Sequence, residues 1–302
     1  MRQANLGVVL AFLAYASWGL LSPVGKHLLD DFRPMGLNFV RFTLATLCIL
    51  PFLGREGLRG TWRLLGDKRV LWVNALANAS LTLFLYALTL LPATFATLGF
   101  YTAPLFTALL ARLLLGEHVG WSFAPAVVGL LAGGYLTLFG WSLPGSDVSA
   151  VGLALAVASA VVWGYYTVAL RQAAPDLPLK PLMGASFVLG TIWYGAFALV
   201  LEGPPAVLQQ DAATWGWVAV HVAFPSLCAF VLFNAALQRA PAGQVNLLVG
   251  AELGFTVLFS WLLFGVGLGP AQLAGLVLVL GSVTSYLWLR ARQAPSTTAS
   301  SD

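Results

Sequence analysis

Ten apolar runs, each long enough to cross a bilayer as an α-helix, occupy most of this chain. A membrane-spanning helix needs about 20 predominantly apolar residues. The runs cover residues 5–28, 36–53, 70–90, 93–115, 121–140, 149–170, 181–201, 213–236, 242–264 and 270–290. Segments with turn-forming residues, such as the stretch from Gly54 to Gly66, separate them. We therefore predict an all-α membrane protein with ten transmembrane helices.

Charged residues are too scarce for a soluble protein. They make up 9% of the 302 residues, whereas 59% are hydrophobic, and a soluble domain carries about 25% charged residues. The net charge of +4 does not indicate nucleic-acid binding, because the bases lie in short loops between apolar runs. Cys48 and Cys228 fall inside apolar runs, without a Cys/His cluster, so we predict neither a metal site nor a cofactor.

The distribution of lysine and arginine orients the ten helices. Twelve of these bases lie on one side of the membrane, and two, Lys26 and Arg33, lie on the other. Because cytoplasmic loops carry the excess of bases, we predict that both termini face the cytoplasm. The protein is then a multi-pass protein of the plasma (bacterial inner) membrane, and residues 293–302 are a disordered cytoplasmic tail.

The two halves of the chain share an internal repeat. Pro92-Ala93 corresponds to Pro241-Ala242, and "LLLGEHVG" corresponds to "LLFGVGLG" at the same separation of 149 residues. Trp18-Gly19 in the first run similarly corresponds to Trp163-Gly164 in the sixth. Each half contains five helices, and an odd number places the halves in opposite orientations. We predict two inverted repeats, residues 1–141 and 142–292. Chance alignment of two apolar sequences is the alternative.

Four segments make the chain resemble the drug/metabolite transporter superfamily in its EamA-like ten-helix branch. They are "ASWGLLSPVGK", "RPMGLNFVRF", "LPATFATLGFYTAPLFTALLARLLLGE" and its degenerate second copy "APAGQVNLLVGAELGFTVLFSWLLFG". In the second copy, Leu253 stands where Pro104 would be repeated, and Val266 stands in place of Glu117. Length and aromatic content are also similar to YddG-type exporters of aromatic and other neutral amino acids.

Polar and aromatic residues at mid-depth are the candidates for substrate binding, since inverted repeats place a substrate site near the bilayer midplane. Each has an alternative role in helix packing or interhelical hydrogen bonding. Asn74 and Asn78 share a helix face and need partners inside a membrane. The predicted substrate-binding residues are Trp163, Trp18, Asn78, Tyr86, Tyr101 and Asn246.

Ionisable residues within the runs are costly in a membrane and are therefore functional candidates. Glu252 is a candidate to accept a proton or to hold a substrate ammonium group, and His221 titrates near neutral pH when unperturbed. Arg41, near the start of its helix, is expected to snorkel to the interface. Pro104 and Pro225 interrupt helical hydrogen bonding and are candidate hinges.

The predicted function is secondary transport: export of neutral amino acids, aromatic ones included, or similar small metabolites by alternating access. No Walker-type motif is present, so ATP hydrolysis by this chain is not expected. The expected partners are the substrate, the lipid bilayer and, as candidate coupling ions, protons. A passive channel is one alternative. An intramembrane enzyme, with Gly184-Ala185-Ser186 and His221 as a serine–base pair, is a weaker one.

Overall fold

The computed structural model describes residues 2–91, 93–117, 120, 122–141, 149–203, 210–265 and 267–293. The described chain is helical. Residues 294–302, most of the predicted tail, lie outside it, as does Val266. The α-helices are α1 (Arg2–Trp18), α2 (Leu21–Leu28), α3 (Pro34–Ile49), α4 (Gly54–Leu64), α5 (Lys68–Leu90), α6 (Ala93–Phe100), α7 (Ala103–Leu115), α8 (Phe123–Phe139), α9 (Ala150–Ala173), α10 (Leu179–Leu201), α11 (Ala212–His221), α12 (Ala229–Leu237), α13 (Ala242–Leu247), α14 (Val249–Phe264) and α15 (Pro270–Gln293).

These helices form ten membrane spans, which confirms the predicted fold class. Eight helical segments of the described chain are long and apolar enough to cross a bilayer, and the apolar segments Phe123–Phe139 and Pro270–Tyr286, the latter the first part of α15, complete the set. We number the spans one to ten in chain order. Spans three, five, six, seven and ten each consist of one helix, and the other five are interrupted or extended.

The segment between spans two and three is a helix, so the prediction of a turn region from Gly54 to Gly66 is wrong. A short 3₁₀ turn, Leu50–Leu53, ends span two, and Gly54 then adopts φ +65°. This left-handed backbone suits glycine and redirects the chain into α4. The glycines of α4 favoured a turn in the sequence, but they allow close packing: a Cβ on Gly60 would lie 2.7 Å from Pro181 Cγ.

Four spans are interrupted within their length. Span one breaks at Gly19-Leu20, span four at Tyr101-Thr102 and span nine at Leu248. Span eight instead contains a π-helical segment, Val222–Cys228, with Pro225 inside it. Sequence reasoning placed prolines within spans four and eight but did not predict the breaks in spans one and nine. Discontinuous helices are the usual framework of transporter sites because they expose backbone groups to a central cavity.

The two halves pack against each other through matching pairs of spans. Span two packs on span seven and span five on span ten, while span three packs on span six and span one on span eight. Each pair joins one helix from each half. Buried residues of both halves consequently form one continuous core.

Candidate substrate cavity

A cavity of about 290 Å³ lies between the two halves. Helices α1, α2, α3, α5, α6 and α8 line it from the first half, and α9, α10, α12 and α14 line it from the second. Most of the lining is apolar or aromatic. The lining includes Tyr15, Trp18, Arg41, Asn74, Asn78, Phe84, Phe100, Tyr101, Trp163, Tyr166, Ser186, Phe187, Tyr194, Phe230, Glu252 and Leu253.

Trp18 and Trp163, the equivalent tryptophans of the two halves, meet in this cavity. Their rings are 5.9 Å apart at an interplanar angle of 73°, an edge-to-face arrangement typical of attractive aromatic pairs. Trp163 also contacts Phe100 and Tyr166, at 5.9 and 4.9 Å between ring centroids. Trp18 is buried, whereas Trp163 is half-buried. Trp163 therefore keeps part of its surface exposed, whereas Trp18, in contact with it, is covered.

The glycine after each tryptophan explains why these rings come together. A Cβ on Gly19 would lie 2.4 Å from Phe255 Cβ, and a Cβ on Gly164 would lie 2.9 Å from the backbone nitrogen of Thr107. Span one can thus press against span nine, and span six against span four. Phe255 and Phe106, the residue before Thr107, are 149 residues apart, the separation found for the repeat in the sequence.

Arg41 extends into the cavity wall instead of reaching the membrane interface. Its Nε donates to Ser226 Oγ at 2.5 Å and its Nη2 donates to the Pro225 carbonyl at 3.1 Å. The side chain is buried, and it has no ion-pair partner among the described residues. The expectation that Arg41 snorkels is therefore wrong. A buried guanidinium without a carboxylate is suited to receive an anionic group from a ligand.

Glu252 lies in the first turn of α14, directly after the break at Leu248. The first N–H groups of a helix lack intrahelical partners, and the helix dipole favours an acid there. Its side chain faces the cavity, and no ion pair to it is present in the described part of the chain. Among the described lining residues, Glu252 is the only acid and Arg41 the only base.

The two asparagines of span three line the cavity as a polar stripe. Asn74 Nδ2 donates to the Val70 carbonyl at 2.9 Å, and Asn78 Nδ2 donates to the Asn74 carbonyl at 2.8 Å. These bonds stay within α5, so the amide oxygens remain available to accept a hydrogen bond from a solute. Of the predicted substrate-binding residues, Asn78 and Tyr101 join the two tryptophans in the cavity lining.

Two other predicted residues lie away from the lining. Tyr86 is 36% exposed on the outside of α5. Asn246 is fully buried, where it accepts a hydrogen bond from Tyr15 at 3.1 Å and donates to Thr107. Asn246 therefore holds spans one, four and nine together behind the cavity.

The hinge and titratable candidates occupy positions around the cavity. Pro104 is the second residue of α7, just after the break in span four. His221 is buried next to the π-helical segment, and its Nδ1 has no hydrogen-bond partner among the described residues. Among the described residues no hydrogen bond joins His221 to Ser186, whereas a serine–base enzyme would require one. Sequence reasoning missed Phe100, Phe187, Tyr194 and Phe230 in the lining, because aromatic residues are frequent throughout the chain.

Polar contacts tie the halves together at both membrane surfaces. On the side with few bases, the backbone nitrogens of Met35 and Gly36 donate to the Glu202 carboxylate at 2.9 and 2.8 Å. On the opposite side, the nitrogen of Ala242 donates to Glu117 at 3.3 Å, and Arg171 lies 3.9 Å from the same carboxylate. Each contact joins one half of the chain to the other.

Comparison with known proteins gives a consistent set of matches. The model of the EamA-like transporter family matches the chain twice, over residues 5–139 and 150–288. A protein of Brucella anthropi named "Riboflavin transporter" is 27% identical over 249 residues, covering 82% of this chain and 85% of its own. A second "Riboflavin transporter", from Rhizobium johnstonii, is 28% identical and covers 96% and 88%. The "Uncharacterized inner membrane transporter YhbE" of Escherichia coli K12 is 26% identical and covers 87% and 82%.

A solved crystal structure also shares the fold. It superposes with a TM-score of 0.80 over 96% of this chain and 99% of its own, at 22% sequence identity.

Proposed function

Because this chain belongs to the EamA-like transporter family, we propose that the solute it carries is a neutral amino acid, with aromatic amino acids included. Family membership confirms that the chain is a multi-pass transporter of the plasma membrane and not an enzyme. The substrate class and the direction, export from the cytoplasm, are our proposals.

The observation that carries the proposal is that the lining of an aromatic cavity contains one base and one acid among the described residues. Arg41 is placed to receive a carboxylate, and Glu252 is placed to receive an ammonium group. Trp163 and the rings around it provide dispersion and cation–π contacts that bind a solute without trapping it. A zwitterion with an apolar side chain matches this lining. A sugar phosphate would need clustered bases, and Arg41 is alone among the described lining residues.

We propose that transport proceeds by alternating access, with residues 1–141 and 142–292 acting as inverted repeats. The paired spans and the 149-residue correspondence between Phe106 and Phe255 support this division. The breaks in spans one, four and nine lie next to the cavity and provide points where the helices can bend. Glu252 is the proposed proton carrier, because it is an acid on the cavity wall without a bound base.

Riboflavin is the second candidate substrate. Two relatives are named riboflavin transporters, and a flat aromatic ring system would stack against Trp163 and its neighbours. Flavin transport would leave Arg41 and Glu252 without charged partners on the solute. We therefore rank it below a zwitterion.

Uptake into liposomes separates these candidates. Purified protein is reconstituted, and radiolabelled aromatic, aliphatic and charged amino acids and riboflavin are each offered with and without an imposed pH gradient, against protein-free liposomes. We expect aromatic and other neutral amino acids to accumulate above their external concentration when the gradient is present. Accumulation of riboflavin but of no amino acid would show that the transported solute is a flavin and not an amino acid. Equilibration without accumulation would indicate a passive channel.

A further inference from the structure

Helix α4 leaves an uncovered basic and aromatic face at the membrane surface. One face of α4 is packed: Thr61 Oγ1 donates to the Pro181 carbonyl at 3.4 Å, and Gly57 and Leu64 are buried beside it. At 100° per residue, Arg55 and Arg59 lie opposite this packed face. The helix is therefore fixed to span seven along one side and open along the other.

The open face carries charge that no described residue neutralises. Arg55, Arg59 and Arg63 are all exposed, and none of them has an ion-pair partner among the described residues. The single acid of α4, Glu56, is also exposed. By contrast, Arg69 just beyond α4 pairs with Asp67 at 3.0 Å. Three bases of α4 are thus left for a partner outside the described chain.

Two large aromatic side chains accompany these bases. Phe52 is 81% exposed and Trp62 is 69% exposed. Trp62 lies seven residues after Arg55 and so shares its side of α4. Aromatic rings and basic side chains on one face are typical of helices that lie in the headgroup region of a bilayer. The charge distribution places α4 on the cytoplasmic side, where the leaflet carries anionic lipids.

We propose that α4, with Phe52 before it, is a binding surface for anionic phospholipids of the cytoplasmic leaflet. Arg55, Arg59 and Arg63 contact the phosphates, and Trp62 and Phe52 enter the boundary between headgroups and acyl chains. Each base near an anionic membrane surface strengthens binding by about fivefold. The surface is separate from the cavity and does not depend on what is transported.

The test uses the full-length protein purified in detergent, with phosphatidylglycerol and phosphatidylcholine as probes. Native mass spectrometry measures how many molecules of each lipid the protein retains and at what affinity. We expect R59Q to weaken phosphatidylglycerol binding by about fivefold, R55Q/R59Q/R63Q to weaken it further, and phosphatidylcholine binding to stay unchanged in both. R112Q is the matched control, because Arg112 is an exposed base on the same membrane side outside α4.

A second pair of variants tests the aromatic part. W62A should lower the affinity for both lipids, whereas W141A, which removes another exposed tryptophan (79% exposed) at the opposite membrane side, should leave both affinities unchanged. Thermal unfolding in phosphatidylcholine should match the unsubstituted protein in every variant.

Three results would overturn the proposal. The first is unchanged phosphatidylglycerol binding in R55Q/R59Q/R63Q. The second is an equal loss in R112Q and R59Q, which would indicate a general charge effect. The third is displacement of the lipid by millimolar inorganic phosphate, which would indicate a site for a free anion.

Discussion

Spans four and nine are the corresponding interrupted helices of the two halves, and they differ in the residues that follow the break. Both end at a glycine with φ +66°, Gly116 and Gly265, which are 149 residues apart. Their breaks fall within three residues of each other when aligned at this separation. After its break, span four continues with Pro104, whereas span nine continues with Glu252. Both spans have a break and a terminal glycine at corresponding positions, but an acid follows the break only in span nine.

This difference shows that the fold and the proposed coupling rest on different residues. The break in span four precedes a proline, which cannot donate a helical hydrogen bond. Span nine breaks at Leu248 without a proline, held by tertiary packing around buried residues such as Val249. A break within the span is therefore common to both copies. Only the second copy adds a carboxylate to it.

The largest effect is expected at the group that distinguishes span nine. Glu252→Gln removes the proposed proton carrier and keeps its shape, so pH-driven transport should fall by about tenfold or more, within the usual range of coupling between linked sites. Exchange of substrate across the liposome membrane without a pH gradient should persist at lower affinity, because the amide oxygen still accepts a hydrogen bond from the ammonium group but carries no charge. Glu56→Gln, an exposed acid on α4, is the control. Unchanged pH dependence in Glu252→Gln would remove this residue from the mechanism.

Trp163 lies where the two halves of the chain meet, so its substitution tests a part of the cavity that both halves share. Trp163→Ala removes a ring that contacts Trp18, Phe100 and Tyr166, and aromatic pairs of this kind are worth about 0.5–1.5 kcal/mol each. We expect transport of every accepted amino acid to fall by a similar factor, about tenfold, since a shared platform is lost. W141A, outside the cavity, should transport normally. Normal transport by Trp163→Ala would show that its ring only packs.

A smaller effect is expected from the residue that marks the break in span four. Pro104→Ala restores a backbone N–H near the start of α7, where proline costs little stability. The protein should fold and reach the membrane at its usual level, while transport slows by about threefold as the broken helix stiffens. Initial rates normalised to the amount of reconstituted protein measure this. An unchanged rate would refute a hinge at this position.

The smallest effect is expected where the end of span four meets the start of span nine. Glu117→Gln weakens the acceptor for Ala242 and removes the charge facing Arg171. Because these side chains are partly exposed, we expect a loss of about 1 kcal/mol, or about 2 °C in Tm. Thermal unfolding in detergent measures the change, with Glu56→Gln as the matched substitution. Equal Tm values for the two variants would show that this contact adds no stability.

The ten spans were predictable because the number and length of apolar runs decide what a bilayer accepts. Helix α4 was not, since its glycines resemble turn residues and its helix depends on packing against Pro181. The break at Leu248 was not predictable either, as local sequence gives no sign of it. Tertiary contacts decide both features.

The cavity was predicted in part. Trp18, Trp163, Asn78 and Glu252 line it, because polar or amphipathic groups at mid-depth must avoid lipid. Tyr86 lies eight residues after Asn78, which rotates it about 80° around the helix, and it faces outward. For Arg41, the position near the start of its helix suggested a side chain that reaches the membrane interface. The carbonyl of Pro225, in a π-helical segment that sequence alone does not reveal, gives it a buried partner.

The contact between Glu202 and the start of α3 has a mechanical consequence. Together with the Thr46–Thr191 contact at 3.2 Å in the middle of the same helix pair, it joins α3 and α10 along much of their length. We expect this pair to keep its arrangement during the proposed alternating-access cycle, while other helices move relative to it. Spin labels across α3 and α10 should keep their separation during turnover, while labels across α1 and α14 should change theirs. A changing α3–α10 separation would show that this helix pair also moves during transport.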